Sequence, residues 1–282
     1  MSAVCTTSRD LDAGYVTAQL EYIQLLDIDF RHGRYCDFSC GNQLLEAIIR
    51  INHMRLISRT STSAKADLNT SCDQIFCRIA SFDPAAHSQA LLRELLPSCS
   101  SASSSPAENS MMNERSQTLH KMCEELGKAY QYAAMLYCFR TLYVDRGKLV
   151  TDAFKSPAAT SLIAKGIIGI DIERPYKSAL ECLLRTLHRL WGSEKHGPDW
   201  VGKYTFWPLW VGGMEMDPND GLVDEQKFVC TSLQRLCYYL GDLAPLDAVS
   251  ALQLVWAKRV VEDDASWDDK LAMPGVRGIF FV

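Results

Sequence analysis

Five polar side chains lie in segments that are otherwise apolar, and these are the residues most able to do chemistry. They are Arg140, Tyr137, Tyr143, His188 and Glu215. The arginine, tyrosine and histidine side chains can donate hydrogen bonds to developing negative charge, and the glutamate can accept a proton. A buried arginine needs an ionic partner, and Glu215 is the candidate partner of Arg140. Equally, Arg140 could polarise the carbonyl or phenolate oxygen of a bound ligand.

Aromatic residues are dense in the C-terminal part of the chain, where they could wall an apolar pocket between helices. The rings assigned to this wall are Trp207, Trp210, Tyr238 and Trp256. The occupant would be an apolar or aromatic small molecule. Core packing is the alternative for these rings, and His188 has a similar alternative as a hydrogen-bonded core histidine because apolar residues flank it.

We expect neither a metal nor a cofactor. The histidines lack metal-ligand spacing, and the common nucleotide, zinc-protease and hydrolase motifs are absent from the sequence. An acidic run has a likeness to the aspartate-rich magnesium motif of terpene synthases; it comprises Asp263, Asp264, Asp268 and Asp269. Because it lies very near the C-terminus, and the second metal motif of those enzymes fails at Asn219, we interpret it as a solvated acidic turn.

Composition narrows the class of protein further. The chain has 282 residues, a net charge of −5 and a pI of about 5.7, so it lacks the basic surface that binding to nucleic acid requires. Its eleven cysteines are scattered among apolar residues, and no signal peptide is recognisable. This usage predicts a reduced, intracellular and cytoplasmic protein. No apolar run reaches the roughly 18 residues of a membrane span.

The spacing of apolar residues is helical nearly throughout, with almost no candidate strand. It predicts an all-α fold, a single-domain irregular helical bundle over residues 1–282. The predicted helices cover residues 12–27, 41–58, 71–80, 85–96, 112–144, 156–165, 176–191, 226–240 and 245–260, with another starting near Phe206. We predict loops at residues 60–70 and, as a mobile serine-rich segment, at 98–111. Residues 1–11 and 271–282 are predicted to be extended tails.

Four segments carry a resemblance to a known family. Residues 129–140 resemble the pattern Y-x-x-A-x-x-L-Y-x-x-R, and residues 206–215 resemble W-P-L-F-x-x-G-x-E, with Trp210 in place of the phenylalanine. Residues 254–256, followed by Trp267, resemble the ending L-x-x-V-W…W, and residues 41–48 resemble an early helix of the family. Together, in this order, they resemble the regulatory domain of fungal zinc-cluster transcription factors, from about residue 30 to 282.

The resemblance implies a helical bundle that senses or relays a signal, often with dimer formation, beside an N-terminal zinc cluster. Such a cluster needs six cysteines that begin C-x2-C-x6-C. The closest spacings here join Cys36 to Cys40 and Cys72 to Cys77, and neither lies in a basic segment. We therefore expect this chain to lack the DNA-binding module.

Two functions fit these observations. The one we favour from sequence is a stand-alone, cofactor-free enzyme of a fungal natural-product pathway that catalyses cyclisation or cycloaddition. By analogy, and not from a motif match, hetero-Diels–Alder enzymes of fungal tropolone pathways are the group to test first, because positioning alone can accelerate such reactions. The alternative is a ligand-sensing or dimerising regulatory domain without catalysis, which could also form a homodimer and would act in the nucleus if the chain is a regulator fragment.

Overall fold

The computed structural model describes residues 40–60, 65–95, 106–146, 150–155, 157–164, 169–192, 202–259 and 267–271, with single helical positions at 14, 18, 20 and 21. These ranges contain α-helices, short 3-10 turns and a π-helical turn but no strand, which confirms the all-α prediction. The helices are α1 (Gly41–Thr60), α2 (Lys65–Ala80), α3 (Pro84–Leu95), α4 (Pro106–Cys138), α5 (Pro157–Ala164), α6 (Pro175–Trp191), α7 (Phe206–Glu215), α8 (Val223–Leu240), α9 (Ala244–Arg259) and α10 (Trp267–Leu271).

Helix α4 is the centre of the bundle. It has 33 residues, and at a rise of 1.5 Å per residue it is about 50 Å long. Helices α6 and α3 make its most extensive contacts, and α1, α2 and α7 also pack on it. Its second half is buried on most sides because small residues such as Ala129, Ala133 and Ala134 let these neighbours approach. None of the helices in the described ranges is both long enough and apolar enough to cross a membrane.

Local residue choice fixes several helix ends. The Asp83 carboxylate accepts hydrogen bonds from the backbone N–H groups of Ala85 and Ala86, at 2.9 and 3.0 Å, and so caps the start of α3. Pro175 occupies the first turn of α6, where its missing N–H costs nothing. Gly241 ends α8 with a φ of 64°, the left-handed conformation that glycine adopts most readily. The predicted end of this helix at Gly241 is confirmed.

Two loop predictions are partly wrong. Helix α2 begins at Lys65, inside the predicted loop 60–70, and α4 begins at Pro106, inside the predicted mobile loop 98–111. Proline is well suited to a first helical turn, and the lysine, alanine and leucine residues after position 64 favour helix despite the neighbouring serines and threonines. Residues 61–64 and 96–105, both predicted tails except position 271, and most of the predicted helix 12–27 lie outside the described residues.

Candidate functional site

An ion pair is buried where the end of α4 meets α6 and α7. The Nε and Nη2 atoms of Arg140 donate to Oε2 of Glu215 at 3.2 and 3.1 Å, and Nη2 also donates to the phenol oxygen of Tyr176 at 3.0 Å. The Glu215 side chain is fully buried and that of Arg140 is 12% exposed. The predicted partnership of Arg140 with Glu215 is confirmed.

Helix α10 closes the other side of this cluster. The indole N–H of Trp267 donates to Oε1 of Glu215, and Nζ of Lys270 donates to the carbonyl of Met214 at 3.2 Å. Both α10 side chains are fully buried. We missed Lys270 and Tyr176 as members of the cluster. The aspartates around Lys270 had indicated a solvated turn, and only the match of Trp267 to the family ending signalled that this segment packs inward.

The backbone near the ion pair has an unusual feature on each of the two helices that carry it. Arg140 belongs to a π-helical turn, Phe139–Tyr143, that continues α4; such turns alter the direction of side chains and are frequent at functional sites. On α7, a Cβ atom at Gly213 would lie 2.6 Å from Cδ1 of Leu252. The glycine therefore lets α9 approach the α7 backbone, and the Trp256 indole donates to the Gly213 carbonyl at 2.9 Å.

Tyr137 belongs to a separate hydrogen-bond network. Its buried hydroxyl donates to Oδ1 of Asn52 at 2.6 Å and accepts from Nη1 of Arg55 at 2.7 Å, which ties α4 to α1. Its ring packs on Trp267, with 4.9 Å between ring centroids. The ring of Tyr137 thus contacts Trp267 of the ion-pair cluster, whereas its hydroxyl bonds to side chains of α1.

The hydroxyl of Tyr143 also forms its hydrogen bond with a residue other than Arg140. Its hydroxyl donates to Oδ1 of Asp73 on α2 at 3.0 Å. Burial, and after it the nearby Cys138 thiol and Asp73 carboxylate, raises the pKa of Tyr143 well above its ordinary value. The phenol therefore keeps its proton. The structure does not bring the two tyrosine hydroxyls together with the Arg140 guanidinium, because that of Tyr137 faces α1 and that of Tyr143 faces α2.

His188 lies at the surface. Its side chain is 46% exposed, Nε2 is 2.7 Å from Oε2 of Glu225, and its ring stacks on Phe228 with 3.8 Å between centroids. Its interpretation as a core histidine is wrong, because the buried face of α6 passes through Leu187 and Leu190 and position 188 faces outward. It does not join Arg140 and Glu215 in one site.

The proposed aromatic wall divides into core and surface. Trp207, Trp210 and Trp256 are buried, and Trp207 stacks on Tyr130 with 5.7 Å between centroids. Tyr238 is 89% exposed near the end of α8. The structure does not bring Tyr238 together with the three buried tryptophans, because its side chain is exposed to solvent.

A groove lies between the C-terminal end of α6 and helix α8. We call it the α6–α8 groove; its volume is about 400 Å³. Its lining residues are His188, Trp191, Gly192, Asp224, Lys227, Phe228, Thr231, Ser232 and Arg235. It combines two aromatic rings with two cationic side chains, whereas the tryptophans of α7 fill the core. Of the residues proposed from sequence, His188 alone lines it.

The acidic run near the C-terminus is only partly within the described residues. Asp263 and Asp264 fall outside them, and Asp269 is exposed. Throughout the described ranges, no three His, Cys, Asp or Glu side chains are grouped closely enough to hold a metal ion.

Comparison with known proteins identifies the family of this chain. The family model described as the fungal specific transcription factor domain matches residues 37–281, which include all four segments of the resemblance. No curated protein and no solved structure matches the chain. Because the match spans most of the sequence, the chain belongs to the fungal specific transcription factor domain family.

Proposed function

We propose that the chain is a regulatory domain without catalysis that associates with a second copy of itself. The observation that carries this proposal is an exposed apolar surface, the α8–α9 face, at the end of α8, the following turn and α9. Its residues are Tyr238, Tyr239, Leu240, Leu243, Leu246 and Leu254. As a regulator domain, the chain would act in the nucleus or the cytoplasm.

The exposure of this face is unusual for large apolar side chains. Tyr238 is 89% and Leu243 is 68% exposed, and they lie close together in sequence at the turn between two helices. Exposed apolar side chains grouped around one turn are typical of interaction sites. Full burial of one leucine or residue of similar size contributes roughly 1.5–3 kcal/mol, so a partner that covers several of them gains a large free energy.

The charges beside the face favour a second copy as the partner. In a two-fold symmetric dimer the same patch meets itself, so charges of a single sign would repel. Helix α9 instead exposes Asp247 near its start and Lys258 near its end, about three helical turns apart and therefore on one side. In an antiparallel pairing of two α9 helices, Asp247 of one copy would approach Lys258 of the second copy.

The interior of the bundle supports a role without catalysis. Arg140 and Glu215 bind each other, whereas Tyr137, Tyr143 and His188 are bonded to other groups in separate places. A proton-transfer or polarising site needs its groups to converge on one reacting atom. The cyclase hypothesis gains no support from this arrangement, and membership of a transcription factor family favours the regulatory alternative.

Sedimentation velocity tests the proposal. We expect the wild-type chain to sediment as a dimer at micromolar concentration, and the double variant Tyr238→Ser/Leu243→Ser to sediment as a monomer with an unchanged helical circular dichroism spectrum. Val223→Ser is the matched control, because Val223 is 66% exposed but lies at the other end of α8. A monomeric wild type, or a double variant that still dimerises, would overturn the self-association.

A second experiment tests whether the chain lacks catalysis, because turnover of a substrate would contradict that part of the proposal. The purified chain incubated with an extract of a source fungus, beside a boiled control, is analysed by mass spectrometry without added cofactor. We expect no new product. A product formed only by the unboiled protein would restore the cyclase hypothesis.

A further inference from the structure

We infer that the α6–α8 groove binds an aromatic carboxylate, a small molecule with a flat apolar body and one anionic group. The site goes beyond the proposed self-association and does not depend on it. Its volume of about 400 Å³ lies in the range of roughly 300–1,000 Å³ that is usual for small-molecule sites. It is an open groove, so a ligand can enter without any rearrangement of the core.

The cationic side of the groove comes from one stripe of α8. Lys227, Thr231 and Arg235 all line it and are spaced one helical turn apart, so they share a face of the helix over about 12 Å. No carboxylate in the described residues forms an ion pair with Lys227 or Arg235. Both cations are therefore available to a ligand, with the Thr231 hydroxyl between them.

The two cations are not equivalent. The guanidinium of Arg235 presents a planar pair of N–H donors, which matches the two oxygens of a carboxylate better than an ammonium does. Asp224 lines the other end of the groove, one turn from Lys227. Its negative charge disfavours an anion there. The carboxylate is therefore expected to bind at the Arg235 end, and Asp224 limits the number of negative charges that the groove accepts.

Aromatic surface supplies the remainder of the site. Trp191 and Phe228 line the groove. Phe228 is fixed by its stacking on His188, which is itself held by Glu225 at 2.7 Å. Trp191 is fixed by the hydrogen bond from its indole to the Thr205 hydroxyl at 3.2 Å. Rings held in this way lose little conformational entropy when a flat ligand packs on them.

The test uses naphthalene-1-acetate as the probe and the neutral naphthalene-1-acetamide as its matched control. Isothermal titration calorimetry measures the Kd of each for the full chain. We expect the carboxylate to bind, the amide to bind at least about tenfold more weakly, and higher salt to weaken only the carboxylate. Equal affinity of the two probes, or binding of neither, would overturn the inference.

Variants locate the binding. Arg235→Gln is expected to weaken naphthalene-1-acetate binding about tenfold, and Lys227→Gln is expected to weaken it less. Lys121→Gln removes an exposed cation of α4 and should leave the Kd unchanged. Unchanged binding in Arg235→Gln, or an equal loss in Lys121→Gln, would exclude the groove. Sedimentation of Arg235→Gln separates the two proposals, because lost binding with an intact dimer leaves the self-association in place.

Discussion

The buried Arg140–Glu215 cluster and the α6–α8 groove contain similar side chains in opposite circumstances. In the cluster, the arginine is paired with a fully buried glutamate and a tyrosine hydroxyl. In the groove, Lys227 and Arg235 have no carboxylate partner among the described residues and face an open space. A residue type that is capable of chemistry therefore does not by itself mark a site, and a charged side chain without a partner in the protein is the better indicator.

Solvation explains the difference. A charge removed from water must be paired and hydrogen-bonded, because an isolated buried ion costs several kcal/mol. The charged groups of the buried cluster therefore bind each other. A cation at the rim of a groove stays hydrated and needs no partner, so it can exchange water for a ligand anion. Substitutions in the cluster should consequently change stability, whereas substitutions in the groove should change binding.

The largest expected effect comes from Glu215→Leu. It leaves Arg140 without its anion in a nearly dry place, so the free energy of unfolding, measured by urea titration, should fall by about 3–5 kcal/mol. The double variant Arg140→Leu/Glu215→Leu removes both charges and should recover part of the loss. A loss below about 1 kcal/mol, the range of exposed pairs, would show that the pair is not structural.

Tyr137→Phe should have the next largest effect. It removes the hydroxyl that lies between Arg55 and Asn52, and an unsatisfied buried polar group costs about 1–3 kcal/mol. The same urea titration measures the loss. Tyr238→Phe, which removes an exposed hydroxyl, is the control and should be neutral. Equal stabilities of the two variants would mean that the Tyr137 network contributes nothing.

Gly213→Ala tests the close approach of α9 to α7. The added Cβ would lie 2.6 Å from Leu252 Cδ1, whereas at Gly212 the nearest atom, Leu183 Cδ2, is 3.4 Å away. Overpacking of a dense core costs roughly 1–3 kcal/mol. We therefore expect Gly213→Ala to lower the thermal midpoint more than Gly212→Ala. The reverse order would contradict the packing.

The ionisation of Tyr143 should have a small effect on stability, and this effect should appear only in alkali. Its folded pKa is raised by burial, whereas the phenol of the unfolded chain ionises near pH 10. The folded state then binds the proton more tightly, so the free energy of unfolding falls as the pH rises above about 10. Tyr143→Phe should have a shallower alkaline slope in urea titrations. An unchanged slope would indicate that Tyr143 ionises normally in the fold.

The smallest effect is expected at the surface. The His188–Glu225 contact is half exposed, and such pairs contribute about 0–1 kcal/mol. His188→Ala should leave the urea midpoint nearly unchanged. A loss as large as that of Tyr137→Phe would show that His188 belongs to the structural networks of the interior and would weaken the comparison.

The periodicity of apolar residues predicted the positions of helices, which depend on residues close together along the chain. It located α6, α8 and α9 within one to three residues, because their apolar spacing and their glycine or proline ends are local signals. It also paired Arg140 with Glu215, since a charge on an apolar helix requires an opposite charge. The contacts of Tyr137 with Asn52 and Arg55 could not be predicted, because these partners are far apart in sequence and other polar residues were equally available.

The sequence also did not predict which aromatic side chains are exposed at the ends of helices. Tyr238 and the core tryptophans are the same kind of residue, and the chain alone does not tell which ring faces a neighbouring helix. Tyr238 lies close to the end of α8, which Gly241 closes, and its side chain is 89% exposed. The α6–α8 groove was missed for a related reason: it joins a helix end to the side of another helix.

The most direct test of this division between a structural cluster and a binding groove measures stability and ligand binding in the same two variants, Arg140→Leu and Arg235→Gln. Urea titration gives the first quantity, and calorimetry with naphthalene-1-acetate gives the second. We expect Arg140→Leu to unfold at lower urea but to bind the probe with an unchanged Kd, whereas Arg235→Gln should keep its stability and lose affinity. Lost binding in Arg140→Leu at unchanged stability would contradict this division and would place the functional site in the interior.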